Sequence, residues 1–315
     1  MKIVIAGALG HIGSAALREI PKEYENPEVV LIDNMLTQRY CSMFDLPKGI
    51  NFRLLESDIL EMDLHSAIEG ADVVLQLAAI TDAAGSFSNK GEVERNNYNT
   101  TVKLAAACSD VASPMIHMSS TSVYGTQAEV VDENCTEQEL KPQSPYAETK
   151  LKEEEYLKKL AGTKDLRFVT LRCGTICGIS PGMRFHTAVN KFCWQAVMAQ
   201  PLTVWRTALN QKRPYLALND AIEAYKFIIS NNLFDGNIYN ILTDNLTVND
   251  IVTSIKQHIP EVDIEYVDTE IMNQLSYEVL NRRFTDKGFK FAGSIEKSIK
   301  ETIGLLRLEN SHGLR

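Results

Sequence analysis

Three observations predict that this 315-residue chain is an α/β protein, with a doubly wound parallel sheet and a smaller α+β lobe toward the C-terminus. Short apolar runs alternate with helical patterns through the first half of the chain, which is typical of parallel strands covered by helices on both faces. The first apolar run leads directly into a glycine-rich turn and a helix. After Arg172 the alternation gives way to mixed helices and strands.

Six strands are predicted in the first half, because each run is short, apolar and rich in β-branched residues. They cover residues 1–6, 29–32, 51–55, 71–77, 114–118 and 166–171. Helical periodicity predicts helices over 63–69, 91–109, 145–161, 187–199, 219–230, 247–258 and 294–305. A Gly/Pro loop over 178–182 marks the point where the regular alternation ends.

Composition and charge exclude several classes of function. Hydrophobic residues make up 44% and charged residues 23% of the chain, the balance of an ordinary globular protein. A formal charge of −9 argues against nucleic acid as a partner. No apolar run reaches the roughly 18 residues of a membrane span, and the first strand occupies the place of a signal peptide. No membrane partner is therefore expected.

The six cysteines show no disulfide-like spacing, which suits a reducing cytoplasm. Cys173 and Cys177 are separated by three residues, but no second pair of ligands accompanies them as a zinc site requires. We therefore expect a cytoplasmic protein without a metal site.

Glycines recur immediately after the first strand, in Gly7-Ala-Leu-Gly10-His-Ile-Gly13. A strand, a glycine turn and a helix in this order predict a dinucleotide-binding site. Gly7 permits the tight turn, Gly10 lets the pyrophosphate approach the backbone, and Gly13 lets the helix pack on the sheet. The free N–H groups at the start of the helix then face the phosphates, beside His11 and Ile12.

Asp33 ends the second strand, twenty residues after Gly13. A carboxylate at this position accepts hydrogen bonds from the adenosine ribose and repels a 2′-phosphate, so NAD is predicted as the cofactor. The neighbouring Asn34 is included in the predicted cofactor site. Arg39 lies close enough in sequence to keep NADP open as the alternative.

Tyr146 and Lys150 lie four residues apart in Ser-Pro-Tyr-Ala-Glu-Thr-Lys, residues 144–150. On a helix this spacing points both side chains to the same face. An ammonium about 4 Å from a phenol could supply the roughly 4 kcal/mol that brings the phenol pKa from about 10 to about 7. The pair therefore predicts a proton-transfer device for an alcohol and its ketone.

Together with Ser119-Ser-Thr-Ser-Val-Tyr-Gly125, these motifs resemble the extended short-chain dehydrogenase/reductase superfamily, and within it the NAD-dependent nucleotide-sugar epimerase/dehydratase family. The resemblance extends from residue 1 to about residue 305. It implies a Rossmann-type NAD-binding domain over residues 1–173, to which 212–232 returns. It also implies a substrate-binding lobe formed by 174–211 and 233–315.

The resemblance implies a role for each residue that matches a family motif. Ser120, Tyr146 and Lys150 match the catalytic serine, tyrosine and lysine, although Thr121 or Ser122 could act in place of Ser120. Tyr146 and Lys150 are also expected to contact the cofactor. Six further matches fall at cofactor-binding positions: Asp58, Ile59, Leu77, Ala78, Ala79 and Asn97.

Two of these cofactor matches have specific expectations. Asp58 is implied to contact the adenine, whereas on sequence alone it could equally cap a loop. Asn97 is implied to support the backbone of the active site. On the substrate side, Arg213 is implied to contact the sugar-nucleotide pyrophosphate, because a guanidinium suits phosphate oxygens. The complete set of predicted substrate-binding residues is Thr121, Thr175, Arg184, Asn190 and Arg213.

The implied reaction is the oxidation and re-reduction of a sugar ring hydroxyl, at C4. Tyr146 would take the hydroxyl proton while hydride passes to the nicotinamide, and the reverse step would yield the epimer. The family's 4,6-dehydratases carry Asp and Glu directly after the catalytic Ser/Thr, where this chain has Thr121 and Ser122. Dehydration is therefore disfavoured, and a nucleotide-sugar epimerase is predicted.

Other functions remain open at this point. A nucleotide-sugar 4-dehydrogenase or 4-ketoreductase would use the same residues but release the keto sugar. A ketoreductase of other alcohols is disfavoured by Asp33 and Arg213, and a non-catalytic dinucleotide sensor by the intact Ser120, Tyr146 and Lys150. The resemblance also implies a homodimer formed through the helices at 91–109 and 145–161. The apolar residues Leu151, Leu157 and Leu160 fit such an interface or burial within one subunit.

Overall fold

The computed structural model describes residues 1–82, 85–125, 129–268 and 276–311, with side chains through residue 307. Its centre is a seven-stranded parallel sheet, which confirms the predicted fold class. The strands in chain order are β1 (Lys2–Ala6), β2 (Glu28–Asp33), β3 (Asn51–Glu56), β4 (Val73–Gln76), β5 (Met115–Ser120), β6 (Val130–Val131), β7 (Phe168–Cys173), β8 (Thr175–Cys177), β9 (Leu202–Trp205), β10 (Lys212–Ala217), β11 (Ile238–Ile241), β12 (Asp244–Thr247), β13 (Ile264–Val267) and β14 (Glu278–Val279).

The strands of the central sheet follow the order β11-β7-β5-β4-β1-β2-β3. Ile3 of β1 is paired with Val29 of β2 on one side and with Val73 of β4 on the other. The direction in which the chain adds strands therefore reverses between β1 and β4. In a parallel sheet a ligand cleft is expected at that point, beyond the carboxyl ends of the strands.

Helices cover both faces of this sheet. They are α1 (His11–Glu19), α2 (His65–Ile68), α3 (Lys90–Val93), α4 (Asn99–Asp110), α5 (Pro145–Ala161), α6 (Ala188–Val197), α7 (Leu218–Ser230), α8 (Val248–His258), α9 (Arg282–Thr285) and α10 (Ile295–Ser311). Leu17 of α1 and Ile228 of α7 are buried on one face, and Leu104 of α4 and Leu157 of α5 on the other. In the part of the chain that the structure describes, no helix combines the length and the apolarity of a membrane span.

A second apolar core lies in the smaller lobe. Helices α6, α8 and α10 contribute Phe192, Ile251 and Ile299, which are buried together with residues of β9 and β10. Two small sheets border this core, one of order β12-β10-β8 and one that pairs β13 with β9. The lobe is therefore packed around apolar side chains of its own.

Two strands do not belong to the domains that the sequence predicts for them. Residues 233–315 were assigned to the smaller lobe, but the strand Ile238–Ile241 pairs with β7 and extends the central sheet. Residues 212–232 were assigned to the NAD-binding domain, but the strand Lys212–Ala217 pairs with β8 and β12. Only the following helix, α7, returns to the central sheet, because its apolar face packs against α1. The remaining boundaries stay a prediction.

Candidate active site

Two adjoining cavities open at the carboxyl ends of the central strands. The larger has a volume of about 350 Å³ and the smaller of about 100 Å³. The residues that line both are Gly7, Gly10, Leu77, Ala79 and Arg184. The cavities therefore form one elongated cleft, at the point where the strand order reverses between β1 and β4.

The glycine turn between β1 and α1 forms the floor of this cleft. Gly7 has a φ of +76°, and a Cβ there would lie 2.6 Å from the backbone nitrogen of Ala78. A Cβ on Gly13 would collide with the backbone of Gly7 and Ala8. Gly10 is the N-cap of α1, so the unpaired N–H groups of the first helical turn lie at the cleft. Ile12 lies in the wall of the larger cavity.

His11 joins the glycine turn to the loop after β8. Its Nε2 lies 2.8 Å from the carbonyl oxygen of Gly178. Burial lowers the pKa of His11 to about 4, although the hydrogen bond to Gly178 acts in the opposite direction. The imidazole is therefore uncharged at neutral pH, and its contribution beside the glycine turn is a hydrogen bond rather than a positive charge.

The smaller cavity contains the acidic residues predicted for the adenosine end. The carboxylate of Asp33 accepts the N–H of Leu9 at 2.9 Å and the N–H of Met35 at 3.0 Å. Asp58 accepts the N–H of Leu60 at 2.8 Å, so it caps its loop as well as lining the cavity. The other predicted cofactor residues that line this cavity are Asn34, Ile59, Leu77, Ala78 and Ala79.

Asn97 supports the cleft through the backbone of the chain. It is fully buried in the π-helical segment Glu94–Tyr98 that joins α3 to α4. Its side chain accepts the N–H of Ile80 at 2.8 Å and donates to the Ile80 carbonyl oxygen at 2.9 Å. Because Asn97 lines neither cavity, it holds the segment after β4 in place rather than facing a ligand directly.

The predicted catalytic residues meet in the wall of the larger cavity. Helix α5 begins at Pro145, and the Ser144 side chain caps it by accepting the N–H of Ala147 at 3.2 Å. This start places Tyr146 and Lys150 in the cavity wall. Ser120 enters the same wall from the end of β5.

The protonation of Tyr146 differs from the prediction that Lys150 would lower its pKa towards neutrality. Burial raises the pKa of Tyr146 above its ordinary value, and Lys150 only partly counteracts this effect. The nearby Glu153 also raises the pKa of the phenol. Tyr146 is therefore held in its protonated form by the protein around it.

A buried polar cluster behind Lys150 has no local signature in the sequence. The Lys150 ammonium donates to Glu153 Oε2 at 3.0 Å, and the same oxygen lies 2.8 Å from His117 Nε2. Thr101 also donates to this oxygen, at 2.8 Å. No local pattern marks His117 for this role. Its partner is 36 residues away in the chain.

Four of the five predicted substrate residues line the larger cavity together: Thr121, Thr175, Arg184 and Arg213. The hydroxyl of Thr121 donates to the Cys173 carbonyl oxygen at 3.2 Å, and the Ser122 hydroxyl donates to Ser120 Oγ at 2.9 Å. These contacts tie the segment after β5 to β7 and to itself. In this arrangement Ser122 supports Ser120 from the following turn.

Arg184 and Asn190 occupy different positions relative to the cleft. Arg184 lines both cavities. Asn190 was predicted to bind substrate, but it is fully buried and lines neither cavity. Its amide donates to the Arg184 carbonyl oxygen at 2.9 Å. Because α6 turns Asn190 inward, this residue positions the Arg184 backbone from behind the wall.

Several residues that line the larger cavity were not predicted from the sequence. Most of them lie in loops, which have no regular sequence pattern. Tyr277 is buried and donates its hydroxyl to the Thr121 carbonyl oxygen at 3.1 Å. His186 lies two residues after Arg184, and its pKa is lowered, chiefly by burial. Further unpredicted wall residues are Thr81, Asp82 and Thr187 outside the regular elements, and Gln76 and Met118 on β4 and β5.

Known proteins share the sequence pattern and the fold of this chain. The model of the NAD dependent epimerase/dehydratase family matches residues 3–241. Solved structures share the fold. A UDP-N-acetylglucosamine 4-epimerase from Methanobrevibacter ruminantium matches with a TM-score of 0.85 and 21% identity over 98% of both chains. A UDP-glucuronic acid 4-epimerase from Bacillus cereus matches with a TM-score of 0.84 and 23% identity over 98% of this chain and 100% of the other.

Among curated proteins, a trifunctional UDP-glucose 4,6-dehydratase/UDP-4-keto-6-deoxy-D-glucose 3,5-epimerase/UDP-4-keto-L-rhamnose-reductase of Arabidopsis thaliana is 28% identical over 96% of this chain and 46% of its own length. The chain thus spans about half the length of this relative. An uncharacterized UDP-glucose epimerase of Bacillus subtilis is 28% identical over 76% of each chain. By the extent of the family match, the chain belongs to the NAD dependent epimerase/dehydratase family, as its motifs predict.

Proposed function

We propose that this protein is an NAD-dependent nucleotide-sugar epimerase that oxidises and re-reduces a ring hydroxyl, at C4, through a keto-sugar intermediate. One observation carries the proposal. Ser120, Tyr146 and Lys150 share a cavity wall with the glycine turn, while the positions of the dehydratase acid and base hold Thr121 and Ser122. Hydroxyl groups of ordinary pKa do not supply the acid and base of a water elimination.

The residues of the cleft fit NAD. Gly10 leaves the backbone open to a close approach, whereas Gly7 and Gly13 permit the tight turn and the packing of α1. The start of α1 offers unpaired N–H groups to a pyrophosphate. Asp33 would accept hydrogen bonds from the adenosine ribose and exclude a 2′-phosphate. When bound, NAD supplies the acceptor and donor of hydride.

The side chains of the larger cavity divide the remaining tasks. Tyr146 Oη would exchange a proton with the reacting sugar oxygen, and Ser120 Oγ would hold that oxygen by a hydrogen bond. The positive charge of Arg213 suits the pyrophosphate of the substrate. Thr121, Thr175 and Arg184 lie where they could contact the sugar.

A nucleotide-sugar 4-ketoreductase or 4-dehydrogenase is the second candidate. The raised pKa of Tyr146, which burial produces, favours the reductase direction over the dehydrogenase direction. A protonated phenol is the form that donates a proton to a ketone. The name of the Arabidopsis relative also includes a keto-sugar reductase. Both reactions use the same residues, and they differ in whether the keto sugar is retained.

We also propose a cytoplasmic homodimer that acts in carbohydrate biosynthesis, with α4 and α5 of each subunit forming a four-helix bundle. Leu157 cannot contribute to that interface, because it is fully buried within the subunit. Leu151 and Leu160 on α5 are only half-buried and remain available for it. Light scattering of the purified protein would measure the mass directly.

The deciding experiment incubates the purified protein with a panel of nucleotide sugars after its bound cofactor has been released and identified. Catalytic formation of an epimer with no lasting rise in NADH absorbance supports the epimerase. A steady rise that depends on added NAD would instead identify a dehydrogenase, and consumption of NADH with a keto sugar would identify a reductase. Absence of turnover with every nucleotide sugar would contradict the proposed substrate class.

A further inference from the structure

The ammonium of Lys150 is held by a carboxylate as well as facing the cleft. Lys150 and Glu153 lie one helical turn apart on α5, and both side chains are almost completely buried. Lys150 Nζ donates to Glu153 Oε2 at 3.0 Å. The positive charge that the Tyr146/Lys150 spacing predicts is therefore accompanied by a negative charge within the same helix.

Glu153 is held in its anionic form by three donors that converge on one oxygen. Besides Lys150, these are Thr101 Oγ1 and His117 Nε2, each at 2.8 Å from Oε2. Since an anionic carboxylate only accepts hydrogen bonds, His117 Nε2 carries the proton of this contact. Burial alone would raise the pKa of Glu153, but Lys150 and His117 outweigh it and the pKa is lowered.

The donors are themselves fixed by neighbouring strands. Gln76 on β4 donates to Thr101 Oγ1 at 3.1 Å, and His117 Nδ1 lies 3.3 Å from Thr170 Oγ1 on β7. The carboxylate of Glu153 is thus hydrogen-bonded to residues of α4, α5 and β5, and β4 and β7 hold two of its donors in place. Its charge has a fixed place behind Lys150.

Asp82 and His186 line the same cavity as Tyr146, but the four groups that act most strongly on its phenol come from three elements. Lys150 and Glu153 belong to α5, Cys173 ends β7, and Arg184 belongs to the loop after β8. Burial raises the pKa of the Cys173 thiol, which is therefore uncharged. Glu153 is consequently the one negative charge among these four groups, and it opposes the ionisation of the phenol.

We propose that Glu153, held by His117 and Thr101, is a positioning residue that fixes the Lys150 ammonium and sets the pH at which Tyr146 loses its proton. This proposal deepens the function proposed above and rests on it for its catalytic meaning. With Glu153 in place, the pair releases its proton at a higher pH than tyrosine and lysine alone would. The protonated tyrosine, which donates to a ketone, is thereby favoured.

The test compares Glu153→Gln with wild type in the NAD-saturated protein. Glutamine keeps the acceptor oxygen for the three donors but removes the charge. The acid limb of kcat/KM for the nucleotide-sugar reaction is expected to move to lower pH by roughly one unit or more. Tyrosinate ultraviolet absorbance, taken as the difference from the same protein carrying Tyr146→Phe, is expected to show the same shift.

Two matched variants separate charge from structure. Glu153→Asp keeps the charge, so its rate is expected to fall while its acid limb stays near that of wild type. Glu154→Gln changes the next residue, which is equally buried but neutralised by Arg172 at 2.6 Å. It is expected to lower the unfolding temperature and leave the acid limb in place.

The outcomes distinguish this proposal from the proposed function. An unchanged tyrosinate titration in Glu153→Gln overturns the role of Glu153, whatever the substrate proves to be. A shifted titration in a protein that turns over no nucleotide sugar supports Glu153 and contradicts the epimerase instead. If Glu153→Gln does not fold, the double replacement Glu153→Leu with His117→Phe removes the charge together with one of its donors, and the same shift is expected.

Discussion

At the scale of single residues, sequence spacing places Tyr146 and Lys150 together, but their surroundings decide their chemistry. Both residues line the larger cavity, as four-residue spacing on α5 requires. The pKa of the phenol nevertheless stays raised, because the site is buried and Glu153 lies behind Lys150. A motif therefore identifies a proton-transfer pair without reporting the pH at which it works.

Replacing Tyr146 by Phe removes only the hydroxyl that would exchange the proton. We expect turnover of the nucleotide sugar to fall by roughly 10²- to 10⁴-fold, the usual contribution of general acid–base catalysis. NAD content and unfolding temperature should stay close to wild type. The matched control is Tyr156→Phe on the same helix, whose ring packs against Tyr98 outside the cavity. Near-wild-type turnover in Tyr146→Phe would contradict the catalytic role of Tyr146.

Gly7 allows a second test at this scale. In Gly7→Ala the new Cβ would meet the Ala78 nitrogen at 2.6 Å in addition to the strain of a positive φ. Gly49→Ala adds a Cβ at a φ of +80° with nothing within 4 Å. We expect Gly49→Ala to cost about 1–2 kcal/mol of folding free energy and to retain NAD affinity.

Gly7→Ala is expected to cost more folding free energy than Gly49→Ala. It is also expected to lower the affinity for NAD by an order of magnitude or more. Isothermal titration with NAD and denaturant unfolding of both variants measure the two effects separately. Equal NAD affinity in the two alanine variants would show that the close approach at Gly7 does not shape the cofactor site.

At the scale of elements, strand ends and helix starts bring the site together. β1, β4 and β5 are neighbours in a parallel sheet, so the residues that follow them reach one edge. Helix α5 begins at this edge because Ser144 caps it and Pro145 fits its first position. These local signals are visible in the sequence, which is why the predicted elements and the observed ones agree here.

Helix α8 offers a prediction about an element remote from the cleft. Thr247 and Asp250 form a capping box, with Thr247 Oγ1 accepting the Asp250 N–H at 3.1 Å and Asp250 accepting the Thr247 N–H at 2.8 Å. Thr247→Ala is expected to destabilise the protein by about 0.5–2 kcal/mol. Thr247→Ser should preserve the cap and the stability. Chemical denaturation measures the free energy of unfolding of both variants. Turnover is expected to stay unchanged, and a large loss of turnover in Thr247→Ala would contradict the view that α8 is remote from the site.

At the scale of the whole molecule, the loop after β8 is docked on the glycine turn. The Gly182 N–H donates to Ser14 Oγ at 2.9 Å, and Arg39 donates to the Gly182 carbonyl oxygen at 2.6 Å. A Cβ on Gly182 would lie 2.5 Å from the Gly10 carbonyl oxygen. Segments that lie 168 residues apart in sequence, at Ser14 and Gly182, are therefore in direct contact beside the glycine turn.

Gly182→Ala tests this long-range contact. The loop must move off the glycine turn, so NAD affinity is expected to fall by roughly tenfold or more and the unfolding temperature to drop. Gly304→Ala is the control, because its Cβ would meet nothing within 4 Å inside α10. The control should be neutral or stabilising by about 0.5–1 kcal/mol. Unchanged NAD binding in Gly182→Ala would show that the contact is not needed for the cofactor site.

The sequence by itself determined the fold class, the glycine turn with its acid, and the tyrosine–lysine pair. Each of these rests on short-range rules: the strand–turn–helix order within the first twenty residues, the end of the next strand, and the four-residue spacing on a helix. Such features are set by backbone geometry within one or two elements. They can therefore be read before anything is known of the packing.

Only the tertiary structure decided what surrounds those motifs. It placed Asn190 behind the cavity wall, added the strand Ile238–Ile241 to the central sheet, and joined Glu153 to Lys150, His117 and Thr101. Burial and hydrogen bonding between distant segments depend on how whole elements pack. No local sequence pattern indicates which distant residues will come into contact. For this reason the residues were predictable, whereas the charge balance that governs Tyr146 was not.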